Sequence, residues 1–435
     1  MRILFLSHYF PPEVNAPASR TYEHCKQWVQ DGHKVTVVTC APNHPRGTVY
    51  EGYRNKLFQR ETKDGIQVIR IWTYVTANEG FLKRTLNYLS YMVAAVLVTP
   101  FLSRCDVVVS TSPQFFNGLA GYLVSRLKRV PWILEIRDLW PESIVAVGAI
   151  TNRPVIRLLE GLELFAYRKA DNLVVVTDAF KVHMRARGIS SKKVTVIKNG
   201  ADFSLYKKPP HGHTNLLREL GLEGKFVASY FGTHGMAHHL ETVLEAAQEL
   251  TECKDIVFLL VGDGAERSRL VAMRDEMKLS NVLMLDQQPK EKMPELWSLS
   301  SVSLVLLQKS ALFKMVLPSK IFESMAMEKP VILGVEGESA ELVMSAGGGI
   351  CIEPESYKDL AIQVLNLYRD PAMCQKLGSS GRRYVLKHFD RQVLARRFED
   401  VMQQVCQVEK AQDEAEVEVQ VGGHRLEVRG GGKKV

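Results

Sequence analysis

Pro318-Ser319-Lys320-Ile321-Phe322-Glu323-Ser324-Met325-Ala326-Met327-Glu328-Lys329-Pro330-Val331-Ile332-Leu333 carries the decisive pattern of this 435-residue chain. Phe322, Met325 and Ala326 recur at helical spacing, Pro318 and Ser319 are placed to cap the helix, and Pro330 ends it before the apolar strand Val331-Ile332-Leu333. A helix running straight into a buried strand is the unit of a parallel α/β sheet. Glu323 interrupts the apolar face in the first turns, near the free backbone amides that attract anions. Its ordinary reading is a carboxylate that caps the helix or faces water.

The same alternation extends in both directions. Met1-Arg2-Ile3-Leu4-Phe5-Leu6-Ser7 reads as a first strand and is too short for a secretion signal. The helix after it carries Tyr22, Cys25, Trp28 and Val29 on one face and ends at Gly32 before Val35–Thr39. Further buried strands are expected at Val107–Ser110, Trp132–Ile136 and Leu173–Thr177, giving a doubly wound parallel sheet. Asn199-Gly200 marks a turn into a second half, where strands at Phe226–Phe231, Ile256–Val261, Val282–Leu285 and Val302–Leu307 repeat the architecture. The fold class is therefore α/β, with two Rossmann-like doubly wound domains facing across a cleft. Ligands in such sheets bind beyond the strand C-terminal ends, which places them between the halves. The expected organisation is a first domain over 1–200, a second over 201–375, a region over 376–406, and a charged, Gly-containing tail over 407–435 that is expected to be disordered or to form a small hairpin.

Composition narrows the partners. A 46% hydrophobic content suffices for two cores. Seven cysteines scattered without Cys-x-x-Cys spacing argue against a zinc site or a disulfide framework and fit a reducing, cytoplasmic setting. A formal charge of +8 favours anionic partners: a nucleotide diphosphate, a phospholipid surface or nucleic acid. No basic–aromatic module or zinc-finger spacing supports nucleic acid.

The loops at the strand ends carry the candidate chemistry. In Phe231-Gly232-Thr233-His234-Gly235-Met236 the glycines would let backbone amides approach a diphosphate, although such turns are often purely structural. Val261-Gly262-Asp263-Gly264 closes another strand, and Asp263 is equally suited to capping the next helix. Glu135-Ile136-Arg137-Asp138-Leu139-Trp140-Pro141-Glu142 concentrates charge where a strand meets the cleft, as a buried ion pair or as pocket chemistry.

Taken together these segments resemble family 4 glycosyltransferases of the GT-B fold. The Pro318–Glu323 variant is similar to a bacterial branch that builds surface polysaccharides and O-antigens, including N-acetylfucosamine transferases. The resemblance implies that Glu323 accepts hydrogen bonds from both ribose hydroxyls of a nucleotide sugar. It further implies that Ser319, Gly232, Thr233, Gly235, Gly262, Asp263 and Gln288 surround the nucleotide, with the 286–290 loop holding a uracil base through its backbone. The family's second Glu, eight positions before the first, is Met315 here, and its phosphate-loop Arg and Lys are Thr233 and His239. Lys320, Lys314 and the helix dipole are then the candidates to neutralise the diphosphate. By the same resemblance Asp138 lies at the reacting centre with Arg137 or Glu142 shaping the pocket, Glu13 and Arg20 lie on the acceptor side, and the 376–406 region crosses back onto the first domain.

The implied activity is retaining, metal-independent and cofactor-free transfer of an N-acetylhexosamine derivative from a UDP-sugar to a polyprenyl-diphosphate-linked glycan. A UDP-N-acetylglucosamine 2-epimerase-like enzyme and a non-catalytic sugar-nucleotide-binding subunit are the alternatives. Between Arg84 and Arg104 the chain carries no charged residue. A membrane crossing there would split one sheet, so segment 81–104 is expected to be a helix that is either buried or resting on the inner membrane surface.

Overall fold

The computed structural model describes residues 1–76, 81–148, 150–207 and 214–408. The expectations for the tail over 407–435 fall almost wholly outside them. The first sheet comprises β1 (Arg2–Leu6), β2 (Lys34–Cys40), β3 (Phe58–Lys63), β4 (Ile66–Ile71), β5 (Val107–Thr111), β6 (Trp132–Ile136), β7 (Asn172–Val175) and β8 (Val194–Val196). Its order is β3-β4-β2-β1-β5-β6-β7-β8, parallel except for the β3–β4 hairpin. The second sheet comprises β9 (Phe226–Phe231), β10 (Ile256–Val261), β11 (Val282–Leu285), β12 (Val302–Leu306), β13 (Val331–Gly334) and β14 (Gly349–Cys351). It is wholly parallel, in the order β11-β10-β9-β12-β13-β14.

Both faces of each sheet are covered, which is why the strands read as continuous apolar runs rather than alternating ones. Along β1, Ile3 and Phe5 join Trp28 on one face, while Leu4 and Leu6 join Tyr91 and Ala95 on the other. The hairpin was not expected from the apolar runs. Its signal is Asp64-Gly65, both at positive φ, the turn chemistry of a two-residue connection.

Two chain crossings join the lobes, and they bond to each other. The Ala201 amide donates to the Phe389 carbonyl at 3.1 Å and the Arg391 amide to the Ala201 carbonyl at 3.1 Å. A Cβ on Gly200 would stand 2.2 Å from the Phe389 carbonyl oxygen, so glycine is required where the crossings touch. Helix Pro371–His388 stays on the second lobe, packed against the helix Lys320–Ala326. Only the helix over 391–408 returns, burying Leu394, Phe398, Val401 and Met402 with Trp28 of the first lobe. This corrects the expectation that the whole 376–406 region crosses: the break falls at Phe389-Asp390.

Arg20 sits at the first crossing and is fully buried. Its guanidinium pairs with Glu135 of β6 at 2.8 Å and donates to the carbonyls of Ile197 and Lys198, each at 2.9 Å, and to Asn199 Oδ1 at 3.2 Å. It is thus committed to the hinge and is not an acceptor contact as expected. Glu13 is likewise corrected: buried, it accepts from the Asn43 and His44 amides at 2.9 Å each and organises that loop. Among the described residues no helix is long and apolar enough to cross a membrane.

Removing one member of a buried ion pair strands the other charge. Glu135→Ala is therefore expected to lower unfolding stability by about 3–5 kcal/mol, read as a shifted urea midpoint; a loss below ~1 kcal/mol would show that Arg20 is held by the carbonyls alone.

Candidate active site

A cavity of about 380 Å³ lies between the lobes, lined from the first by His44, Arg137 and Asp138 and from the second by Gly232, Asp263, Gln288, Lys320 and Glu323. Helix Lys320–Ala326 points its first turn into it. Apolar Ile321, Phe322, Met325 and Ala326 are buried against the core, which leaves Lys320 and Glu323, one turn apart, on the cavity side. Ser319 occupies the cap position and lines the cavity, but its side chain makes no capping bond, contrary to expectation.

Lys320 is the outstanding group. Its Nζ is buried with no hydrogen-bond partner and stands 3.6 Å from the centroid of the Tyr230 ring. Burial lowers its pKa to about 7, against the opposing pull of the Glu323 carboxylate. Burial raises Glu323 above the ordinary carboxylate range, while Lys290, the Tyr206 hydroxyl that donates to it and Arg391 act the other way. A buried ammonium without a hydrogen-bond partner beside a carboxylate with spare acceptor capacity has the chemistry to receive an anionic group and hydroxyl donors.

The glycine loops are packed for a different reason than expected. The Gly232 amide is already spent on the Val261 carbonyl at 3.0 Å, and at φ +142° a Cβ there would stand 3.2 Å from Lys320 Nζ. Gly232 therefore makes room for the lysine. A Cβ on Gly262 would meet the Gly232 carbonyl oxygen at 1.8 Å, so the two loops must cross without side chains. Gly235 does not line the cavity and has an ordinary negative φ. Thr233 lines it. Asp263 caps no helix; it accepts from its neighbour Gly264 and forms a 3.0 Å ion pair with Arg46 of the first lobe. Gln288 lines the cavity with its amide bonded to the Asp286 carbonyl at 3.1 Å.

Arg137 and Asp138 meet the cavity from the opposite side. Arg137 Nε and Nη1 are buried without hydrogen-bond partners, and burial lowers its pKa to about 9, with Glu135 opposing. Burial raises the Asp138 carboxyl above its ordinary value. Other candidates fall away: Glu142 is engaged by His183 at 3.2 Å and Arg187 at 3.4 Å, and Lys314 by Glu336 at 3.1 Å. His239 bonds Thr242. Met315 packs against the core, so no carboxylate stands at that position.

The residues missed from sequence are Tyr206, Lys290 and Arg391. Lys290 and Arg391 both pair with Glu23 of the first lobe, the latter at 3.1 Å. No local motif announces them, because each acts through a residue more than a hundred positions away.

Two family models cover the lobes in turn: glycosyl transferase 4-like domain over residues 15–200 and glycosyl transferases group 1 over 214–384. The chain belongs to the glycosyltransferases, with a glycosyl transferase 4-like first lobe and a group 1 second lobe. This glycosyltransferase is 25% identical over 408 residues to the putative colanic acid biosynthesis glycosyl transferase WcaI of Escherichia coli K12, covering 92% of this chain and 98% of that one. It is 27% identical over 249 residues to the probable glycosyltransferase WbjE of Pseudomonas aeruginosa, covering 57% and 62%. Solved structures share the GT-B fold: Anabaena HepE in complex with UDP and glucose has a TM-score of 0.70 at 18% identity, covering 93% of this chain and 100% of that one. WaaG, a glycosyltransferase involved in lipopolysaccharide biosynthesis, has a TM-score of 0.68 at 14% identity, covering 92% and 99%.

The lysine makes a prediction for the ligand-free enzyme. With its folded pKa depressed, the unfolded chain holds the extra proton between pH 7 and about 10.5, so this group makes stability rise with pH across that window. Lys320→Met should therefore raise the thermal midpoint most below pH 7, the advantage shrinking toward pH 10.5 with a slope no steeper than ~1.4 kcal/mol per pH unit. An unchanged midpoint throughout would contradict a partnerless buried ammonium.

Proposed function

We propose that this glycosyltransferase moves a sugar, an N-acetylhexosamine derivative, from a UDP-sugar to a polyprenyl-diphosphate-linked glycan in cell-surface polysaccharide assembly, with retained configuration, at the cytoplasmic face of the membrane. The observation that carries the reading is the pair Lys320 and Glu323. The buried, unpartnered Lys320 ammonium suits the diphosphate, and the Glu323 carboxylate one turn on suits the vicinal ribose hydroxyls. The roles in colanic acid and lipopolysaccharide biosynthesis given to WcaI and WaaG, and the UDP complex of HepE, support the polysaccharide and nucleotide parts.

In the reaction the acceptor oxygen bonds to the anomeric carbon as the bond to the diphosphate breaks, and the hydroxyl proton passes to the departing diphosphate. Lys320, with Arg137 from the facing lobe, holds the charge that develops on the leaving group. Asp138 lies opposite the donor helix, placed to orient the acceptor hydroxyl, so catalysis rests on holding both partners in line. Gln288 and its loop frame the base, and Ser319, Thr233, Gly262 and Asp263 complete the nucleotide side.

Calorimetric titration with UDP tests the assignment. Glu323→Ala is expected to weaken UDP about a hundredfold, ~3 kcal/mol for lost charge-assisted hydrogen bonds, with the fold intact; unaltered affinity would remove the ribose role. In a thermal-shift panel, UDP should stabilise the wild type more than ADP, GDP or TDP. Asp138→Asn should lose at least tenfold in turnover while binding UDP as the wild type does, whereas full activity in that variant would take the acceptor role from Asp138.

A further inference from the structure

Helix Phe81–Val98 is buried on one side only. Tyr88, Tyr91 and Ala95 face the core, whereas Leu82, Leu86, Val93 and Leu97 form an exposed outer stripe at spacings of helical neighbours, with Leu97 at 68% exposure. The stripe is not a flat surface. The ends of the β3–β4 hairpin stand beside it, and Phe58, Trp72 and Tyr74 with the stripe enclose an apolar groove of about 920 Å³, its mouth marked by Leu57 at 83% and Phe101 at 72% exposure. So contiguous an apolar surface marks a binding site.

A polar niche lies between the groove and the cleft along the same helix. Tyr74 lines the groove, donating its amide to Ser90 Oγ at 2.8 Å and accepting from Asn87 Nδ2 at 2.6 Å. Beyond Asn87 lies a small polar niche containing Tyr9, Arg84 and Tyr88, which shares His44 and Pro45 with the interlobe cavity. Arg84 donates to Tyr88 Oη at 3.3 Å and feels the Asp138 carboxylate across the niche. One helix thus presents an apolar trough on its outer face and, at Arg84, a cation in the niche that borders the interlobe cavity.

We propose that this groove holds the hydrocarbon chain of a long-chain isoprenoid phosphate, with the phosphate end directed past Arg84 toward the cleft. The inference rests on the lipid-linked acceptor proposed above and assigns where its chain lies. Charge supports this occupant: residues 53–60 and 81–104 carry Arg54, Lys56, Arg60, Lys83, Arg84 and Arg104 and no acidic side chain. The same charge disfavours a second copy of the chain, since a self-complementary contact would bring these cations together. Phe58, Trp72 and Tyr74 make the helix face one wall of a trough, which can surround a single extended chain on more than one side.

The test is photo-crosslinking of the full chain with a benzophenone-tipped polyprenyl phosphate. Adducts are expected within 57–60, 72–74 and 86–101, displaced at least fivefold by untagged polyprenyl phosphate and not by inorganic phosphate. Val93→Asp with Leu97→Asp changes only exposed positions; it should lose that labelling and lose transfer to a lipid-linked acceptor at least tenfold, while UDP affinity and transfer to a chain-free acceptor glycan stay as in the wild type. Adducts elsewhere, unchanged labelling in the variant, or displacement by phosphatidylglycerol vesicles as effective as by the isoprenoid would overturn the proposal, the last in favour of a bilayer contact. Groove labelling in an enzyme that transfers nothing to lipid-linked acceptors would instead sink the functional reading and leave the groove assignment standing.

Discussion

Arg20 is the constraint on which the interlobe geometry depends. Its one guanidinium satisfies a strand-end carboxylate, two carbonyls of the outgoing chain and the Asn199 amide that in turn donates to the Leu317 carbonyl at 3.4 Å. Through that chain of bonds the C-terminal edge of the first sheet is registered against the residues that immediately precede helix Lys320–Ala326. An arginine suits the position because its planar fork meets several acceptors at once, and an isolated charge so deep would be costly without them.

Around this hinge the second lobe is held by a ring of polar contacts. Glu338, at the start of helix Glu338–Ala346, accepts from the Ala179 amide at 2.9 Å and pairs with Lys198 at 2.7 Å. Arg46 reaches Asp263, and Lys290 and Arg391 converge on Glu23. These contacts are polar and directional, unlike the apolar cores on either side. The cavity lies between the lobes. Its charges come from both sides, Lys320 and Glu323 from one lobe and Arg137 and Asp138 from the other.

How far the sequence was legible follows from the range of the interactions involved. Val107–Ser110 and Ile256–Val261 announce themselves because strands buried on both faces need no polar alternation, and the donor helix does so because its apolar face repeats within seven residues. Lys320 was legible as a neighbour of Glu323, though not its lack of a partner. Arg20 and Glu13 were misread because their partners lie elsewhere in the chain, 115 residues away for Glu135 and 30 for Asn43. The end of the second lobe was placed too early, since Phe389-Asp390 carries neither proline nor glycine to mark the break. Segment 85–103 reads as uniformly uncharged, and only the packing of its own Tyr91 and Ala95 into the core separates a buried face from an exposed one.

The central claim is that Lys320 grips the diphosphate and Glu323 the ribose of one bound nucleotide. A crystal structure of the full chain with UDP bound tests it most directly. The account predicts both ribose hydroxyls within hydrogen-bond distance of the Glu323 carboxylate and a phosphate oxygen on Lys320 Nζ, displacing it from the Tyr230 ring. UDP seated outside the interlobe cavity, or inside it with Lys320 still partnerless, would contradict it.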